Sequence, residues 1–214
     1  ARTNLWLRTA DRIKIVVKEF KATTFEDLFD QTYAINWEDY LPLDAEFPVA
    51  GRSQKSKLHS VPNCQRIVKK AIAKKLMTYY ARKQALPETG AYYPLEIILN
   101  KDQAMITLDT SGSSLFKRGY RSEKGGAPLK ENLAAALVML TTWHPDRPLY
   151  DPTCGSGTIL IEAALMGHKI APGLNRSFAS EQWDYFHPEV WQIERQAARD
   201  QIDWEVDLDL YGSD

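Results

Sequence analysis

Hydrophobic positions recur with two different periods along this chain, and each change of period marks an element. Ile13 to Phe20 is rich in β-branched and aromatic residues and reads as a strand. Phe25, Leu28, Phe29 and Tyr33 then recur at helical spacing behind a threonine cap at Thr24, which predicts a helix to about Ala34. Pro42 and Pro48 bracket a loop, and Phe47 to Ala50 is a short strand candidate. From Cys64 to Lys83, Ile67, Val68, Ala71, Ile72, Leu76 and Tyr79 share one face and the lysines fall mostly on the other, an amphipathic basic helix. Tyr93–Leu99 and Ala104–Asp109 flank the turn Asn100-Lys101-Asp102 and read as a β-hairpin.

Beyond the hairpin the texture changes. Residues 111–127 are rich in Gly, Ser and charge, and the domain junction is placed there. Pro128 is expected to open an alanine-rich helix running to Leu140, because proline favours the first helical position. Leu149-Tyr150 forms a very short strand that runs into Asp151, and the next helix starts at Ser156 or Gly157 and stops near Gly167. Pro172 to about Glu205 is a polar, tryptophan-containing insert with helical stretches. Leu208 to Asp214 reads as a strand ending in an acid. The result is an α/β chain with one domain over residues 1–110 and a second over 128–214.

The charge is informative only in its distribution. The formal net charge is −1. Yet Arg52 to Lys83 carries Arg52, Lys55, Lys57, Arg66, Lys69, Lys70, Lys74, Lys75, Arg82 and Lys83 without any Asp or Glu. From Ser177 to Asp214, ten acidic residues face only Arg195 and Arg199. Such asymmetry joins a region suited to a polyanion to one that is not. Lysines neutralise backbone phosphates without reading sequence, and Ser53 and Ser56 can add neutral contacts. The alternative is a solvated helix face balanced by acids elsewhere. Tyr79, Tyr80, Tyr92 and Tyr93 either stack on unpaired bases or belong to the core and its rim.

Asp151-Pro152-Thr153-Cys154-Gly155-Ser156-Gly157-Thr158 lies between a strand and a helix. Glycines there let the backbone turn tightly and approach a ligand, and the helix start offers unpaired N–H groups. A phosphate could use this arrangement. However, the lysine of a phosphate loop is missing and so is the three-glycine dinucleotide pattern. An acid at the strand end repels phosphate and attracts a cation. A ligand with an ammonium, a sulfonium and an uncharged ribose suits it better, which is the chemistry of S-adenosylmethionine. The remaining alternative is a structural strand-to-helix turn.

This octapeptide, with Ile161-Glu162-Ala163-Ala164 after it, resembles the first cofactor motif of the THUMP-containing bacterial 23S ribosomal RNA guanine-N2 methyltransferases. Phe116-Lys117-Arg118-Gly119-Tyr120-Arg121 and Ala127-Pro128-Leu129-Lys130-Glu131 resemble the block that precedes it in that family. Gly51-Arg52-Ser53-Gln54-Lys55-Ser56-Lys57-Leu58 and the lysine-rich helix are similar to its THUMP domain. The resemblance implies a partial THUMP/ferredoxin-like RNA-binding module, then the N-terminal part of a class I, Rossmann-like methyltransferase domain. It implies S-adenosylmethionine as cofactor. Asp151 to Thr158 would hold it, with Asp151 and the Gly155–Gly157 turn at the methionyl end. Pro128 and Leu129 would close over it, and Asp214 would accept from the ribose hydroxyls. It further implies RNA contacts at Arg52, Ser53, Lys55, Lys57, Lys69, Lys70, Lys74 and Lys75.

Several features bound the expectation. Members of the family carry an Asn/Asp-Pro-Pro-aromatic motif for the exocyclic amine, and no such sequence occurs here. The chain therefore reads as the middle of a longer enzyme, incomplete at both ends and inactive alone, with its catalytic residues unassigned. His59, His144, His168 and His187 are scattered, so no metal site is expected. No apolar run approaches the roughly 20 residues of a membrane helix. Cys64 and Cys154 match no disulfide framework, which fits a reducing cytoplasm. An adenine-N6 DNA methyltransferase and a non-catalytic RNA-binding protein with a relict cofactor fold stand as the alternative functions.

Overall fold

A computed structural model describes residues 1–121, 128–184 and 186–214. Residues 122–127 of the expected junction, including Ala127 of the block before the cofactor motif, lie outside the described residues. In chain order the elements are α1 (Arg2–Trp6), β1 (Lys14–Lys21), α2 (Phe25–Tyr33), β2 (Val49–Gln54), α3 (Val61–Tyr79), β3 (Leu95–Asn100) and β4 (Gln103–Asp109). Then follow α4 (Glu131–Leu140), β5 (Leu149–Asp151), α5 (Thr158–Gly167), α6 (Pro188–Asp200) and β6 (Leu210–Gly212). Short 3-10 turns occupy Trp37–Asp39 and Ala179–Gln182.

These elements form two compact units, neither of them continuous in sequence. One comprises Lys14–Gly112 and Ala179–Phe186; the other comprises Ala1–Ile13, Ser113–Phe178 and His187–Asp214. A cut at the glycine-rich stretch places residues 1–13 with the first domain and 179–186 with the second, whereas packing groups each with the opposite unit. The reason is contact chemistry. Leu5 packs with Leu115, Phe178 and Trp191, and Trp183 stacks on Tyr93 at 4.9 Å while donating to the Tyr92 carbonyl at 2.9 Å.

The first unit is built on a four-stranded sheet of order β1-β4-β3-β2. β4 runs antiparallel to both neighbours, and β2 runs parallel to β3. The alternation Leu95, Ile97, Leu99 on β3 puts one row in the core against Val68, Ile72 and Leu76 of α3 and Leu28 of α2. Thr24 caps α2 through a reciprocal box: its hydroxyl accepts from the Asp27 N–H at 3.0 Å and the Asp27 carboxylate accepts from the Thr24 N–H at 3.1 Å. The β3–β4 turn is made by Lys101 and Asp102, both at positive φ of 50° and 63°, the twist that suits a two-residue hairpin.

α3 spans Val61–Tyr79 rather than reaching Lys83. It stops because Ala81 adopts a left-handed φ of 50° and Arg82 N–H returns to the Met77 carbonyl at 2.9 Å, closing a Schellman turn without glycine. β2 extends past Ala50 to Gln54, so Arg52 and Ser53 stand on a strand.

In the second unit β5 and β6 pair in parallel, with Tyr150 opposite Tyr211 and Asp151 opposite Gly212, and α4 packs on α5. α4 begins at Glu131, not Pro128. Lys130 is extended and its carbonyl takes the first helical bond, from Ala134 N–H at 2.9 Å. The buried Glu131 carboxylate sits at the positive end of the helix, held there by Arg121 at 3.1 Å. α4 leaves Leu133, Leu137 and Leu140 exposed, and the two-stranded sheet leaves Tyr150 and Tyr211 exposed.

Candidate cofactor site and nucleic-acid surface

The strand-to-helix loop after β5 is tied to Ser213, the residue that follows β6, by two hydrogen bonds. The Asp151 carbonyl accepts from Ser213 N–H at 3.0 Å, and Cys154 N–H donates to the Ser213 carbonyl at 2.9 Å. Asp214 follows directly, exposed and next in chain to the residue that ties the loop down. This close approach needs Gly212, where a β-carbon would meet Leu160 Cδ1 at 2.7 Å and Cys154 Sγ at 2.8 Å. The buried Asp151 turns a carboxylate oxygen back to accept from Thr153 N–H at 3.1 Å. Gly157 N–H closes on the Cys154 carbonyl at 2.7 Å.

Gly155 and Gly157 both hold left-handed backbone, at φ of 49° and 71°. A β-carbon at either would meet nothing within 4 Å. The glycines therefore answer to backbone conformation, and the space beside them is open to a ligand. Pro152, Thr153 and Ser156 are exposed, and Cys154 is half-buried with its thiol 3.8 Å from the Gly155 carbonyl. α5 starts at Thr158, and the N–H groups ahead of Ile161 have no helical carbonyl to reach, since the first helical bond runs from Ile161 N–H to the Gly157 carbonyl at 2.9 Å. These features fit a cofactor with a cationic amino-acid arm: a carboxylate at the strand end, an uncovered glycine turn and a helix start.

Pro128 is exposed and Leu129 half-buried, in extended chain just before α4. The start of α4 is linked to the loop by Arg121, whose guanidinium donates to Glu131 Oε1 at 3.1 Å and to Thr158 Oγ1 at 3.0 Å. Behind this bridge lies a buried charge cluster. Arg118 Nε meets Glu162 Oε1 at 3.4 Å, Tyr120 donates to the same oxygen at 3.3 Å, and Arg118 also donates to the carbonyls of Leu115 and Arg8. Arg8 donates to the carbonyls of Ile170 at 2.7 Å and Leu165 at 3.2 Å. Burial pushes the Glu162 carboxyl above its ordinary value, partly opposed by Arg118, and burial with the neighbouring Glu162 pushes the Tyr120 hydroxyl up. Burial lowers the Arg8 guanidinium to about 10.

The sequence marks these residues as a block and assigns them no roles. A signal was present: Glu162 is the one acid in the apolar run from Thr158 to Gly167, and an acid on a helix buried this far needs a buried partner.

In the other unit the basic residues divide by environment. Arg52 is exposed on β2, with Nε 3.6 Å from Glu96. Lys55 turns the chain at a φ of 51°, and Lys57 N–H is held by the Asp102 carboxylate at 2.8 Å while its side chain is exposed. The Ser53 hydroxyl donates to the Leu58 carbonyl at 2.7 Å and Ser56 to the Gln54 carbonyl at 3.1 Å, so both shape the loop itself. Lys69 pairs with Glu88 at 2.6 Å and lies over Phe47, whereas Lys74 and Lys75 lie over Tyr33 at 5.9 Å. Lys70 and Arg66 are exposed. A groove of about 510 Å³ is lined by Val49 of β2 and by Pro62, Arg66, Lys69 and Lys70 of α3. Tyr93 is buried in the core, Tyr80 is half-buried with its hydroxyl on the Leu41 carbonyl at 3.3 Å, and Tyr79 and Tyr92 are exposed.

Among the described residues no helix is long and apolar enough to cross a membrane, and no group of three or more His, Cys, Asp or Glu could hold a metal ion.

Comparison with known proteins places both units. Residues 22–109 match the THUMP domain and residues 118–214 match the RMKL-like methyltransferase domain. YpsC of Bacillus subtilis (strain 168), which carries the name of an RNA methyltransferase, is 56% identical over 214 residues, all of this chain and 56% of its own length. The ribosomal RNA large subunit methyltransferase K/L of Vibrio cholerae is 37% identical over 191 residues, 89% of this chain and 27% of that protein. The chain thus spans about half, or less, of the curated relatives it matches.

Among solved structures, one from Listeria monocytogenes str. 4b F2365 is described as a predicted N6-adenine-specific DNA methylase. It superposes with a TM-score of 0.96 at 60% identity, covering 100% of this chain and 56% of its own. SMU.472, a methyltransferase structure complexed with SAH, superposes with a TM-score of 0.94 at 55% identity, covering 99% of this chain and 56% of its own. The expected mixed α/β fold is present, a THUMP domain followed by a methyltransferase-like fold. The chain thus carries a THUMP domain and an RMKL-like methyltransferase domain, and its relatives are named RNA methyltransferases.

Proposed function

We propose that this chain is the RNA-docking and cofactor-holding part of an S-adenosylmethionine-dependent methyltransferase that modifies a guanine N2 of 23S ribosomal RNA in the cytoplasm. The observation that carries the reading is the uncovered turn at Gly155 and Gly157, at the end of the Asp151 strand and bonded to the strand that leads to Asp214. S-adenosylmethionine supplies an electrophilic methyl group when bound. Asp151 and the glycine turn hold its amino-acid arm, Asp214 accepts from its ribose hydroxyls, and Pro128 and Leu129 cover it. The SAH complex of SMU.472 supports that cofactor class, and the large-subunit name of the Vibrio relative supports the RNA.

Arg52, Ser53, Lys55, Lys57, Lys69, Lys70, Lys74 and Lys75 form the RNA-facing region. Within it, Lys55, Lys57 and Lys70 bind phosphates directly, being exposed and without an ion pair among the described residues. Replacing these three by alanine is expected to weaken RNA binding at low salt. The slope of log affinity against log salt should become shallower by roughly one for each phosphate no longer neutralised. Filter binding at several salt concentrations measures both. An unchanged slope places the phosphate-binding residues elsewhere.

Catalysis here is chiefly the alignment of an amine with the methyl group, and the target base must first leave its stack. Residues 1–214 contain no Asn/Asp-Pro-Pro-aromatic sequence, so alone they are expected to bind without transferring a methyl group. The description of the Listeria structure favours a second reading, transfer to adenine N6 in DNA. The full-length protein with tritiated S-adenosylmethionine decides between them. Label on guanosine of unmodified 23S ribosomal RNA, lost in Asp151→Ala, is expected. Label only on adenine of duplex DNA establishes the second reading. No label on either leaves an RNA-binding protein with a relict cofactor fold.

A further inference from the structure

The contacts at the start of α5 form a directional chain of hydrogen bonds. Arg121 Nη2 donates to Thr158 Oγ1 at 3.0 Å, and Thr158 Oγ1 lies 3.2 Å from Ser156 Oγ. A guanidinium has no acceptor, so Thr158 must receive from Arg121. Thr158 is buried, and a buried hydroxyl proton needs an acceptor. Among the described residues the acceptor within reach is Ser156 Oγ. Ser156 therefore receives the Thr158 proton and has its own proton left to give. Its side chain is exposed in the loop, between two glycines beside which a β-carbon would meet nothing within 4 Å. Arg121 is itself held by the Glu131 carboxylate at 3.1 Å, which orients the chain at its source.

We infer that Arg121 and Thr158 are positioning residues that fix Ser156 as a hydrogen-bond donor to the carboxylate of the cofactor's amino-acid arm. This rests on the cofactor reading above. The carboxylate is the anionic group of that cofactor, and the adjoining helix start also favours negative charge. A donor locked toward a carboxylate binds better than a hydroxyl free to point either way, because charge-assisted bonds are the stronger ones. The chain also couples cofactor recognition to α4, since Glu131 is that helix's first residue.

Calorimetric titration of the full-length protein tests this with two ligands. S-adenosylhomocysteine carries the carboxylate; 5′-methylthioadenosine shares the nucleoside and sulfur and lacks the amino-acid end. Thr158→Val keeps the buried shape and deletes the hydroxyl, and Ser156→Ala removes the terminal donor from an exposed position. Both are expected to weaken S-adenosylhomocysteine about 10-fold, the value of one bond to a charged group, and to leave 5′-methylthioadenosine unchanged. The double variant is expected to lose no more than either single, and Thr158→Ser to restore binding. Equal weakening of both ligands, or no change in either, overturns the inference. A wild-type protein that binds neither ligand instead removes the cofactor reading on which it stands.

Discussion

Glu162→Ala is expected to destabilise the methyltransferase-type unit by about 3–5 kcal/mol, the range for removing one partner of a buried ion pair. Glu162 and Arg118 have side chains 0% and 2% exposed, so neither charge has water to fall back on. Deleting the carboxylate strands the Arg118 charge, with the charge of Arg8 close by, and takes the hydrogen-bond partner from Tyr120. The Glu162→Leu, Arg118→Met double variant is expected to be less damaged than Glu162→Ala, because it removes both charges and fills the space. Urea unfolding followed by tryptophan fluorescence measures each. A loss below about 1 kcal/mol in Glu162→Ala means that the carboxylate adds little net stability against its own desolvation.

The same group sets a pH dependence. Burial raises the Glu162 carboxyl above its ordinary value, so its titration adds stability below that value and removes it as pH rises through the elevated one. The stability difference between wild type and Glu162→Gln should therefore shrink as pH climbs from about 4 toward neutrality.

Gly157→Ala is expected to separate cofactor binding from folding. Its φ of 71° lies in the left-handed region, where an L-residue costs roughly 1–2 kcal/mol. No atom lies within 4 Å of the added carbon, so the fold should survive that cost. The carbon projects into the space assigned to the cofactor, which must then shift or leave. S-adenosylhomocysteine affinity is expected to fall about 100-fold while the unfolding midpoint moves modestly. Wild-type affinity in this variant would show that the open space beside the turn is not the cofactor's seat. A fall in stability matching the fall in affinity would show that Gly157 serves the fold alone.

Local signals made most of the elements legible. Thr24 reads as a helix cap, and α2 starts directly behind it. The alternation Leu95, Ile97, Leu99 states which face of β3 is buried before any partner is known. Asp151 to Thr158 names its own geometry, because two glycines one residue apart between strand and helix permit left-handed backbone where other residues resist it. The helix ends were harder to read. α3 stops at an alanine in left-handed conformation, and α4 waits three residues past its proline for a glutamate that an arginine can hold.

What the sequence alone determined is therefore periodicity, caps and the glycine loop, which depend on neighbours within a few positions. Tertiary structure decided three things that depend on distant ones. It grouped residues 1–13 with 113–178, because Leu5 is buried against Leu115, Phe178 and Trp191, which come from distant parts of the chain. It divided the lysines between ion pairs, aromatic faces and solvent, since Glu88, Phe47 and Tyr33 reach them only after folding. It also brought Arg118 to Glu162, and Arg121 to Glu131 and Thr158, beside the candidate cofactor loop. Charges so far apart in sequence can be taken out of water together only when the whole core closes around them.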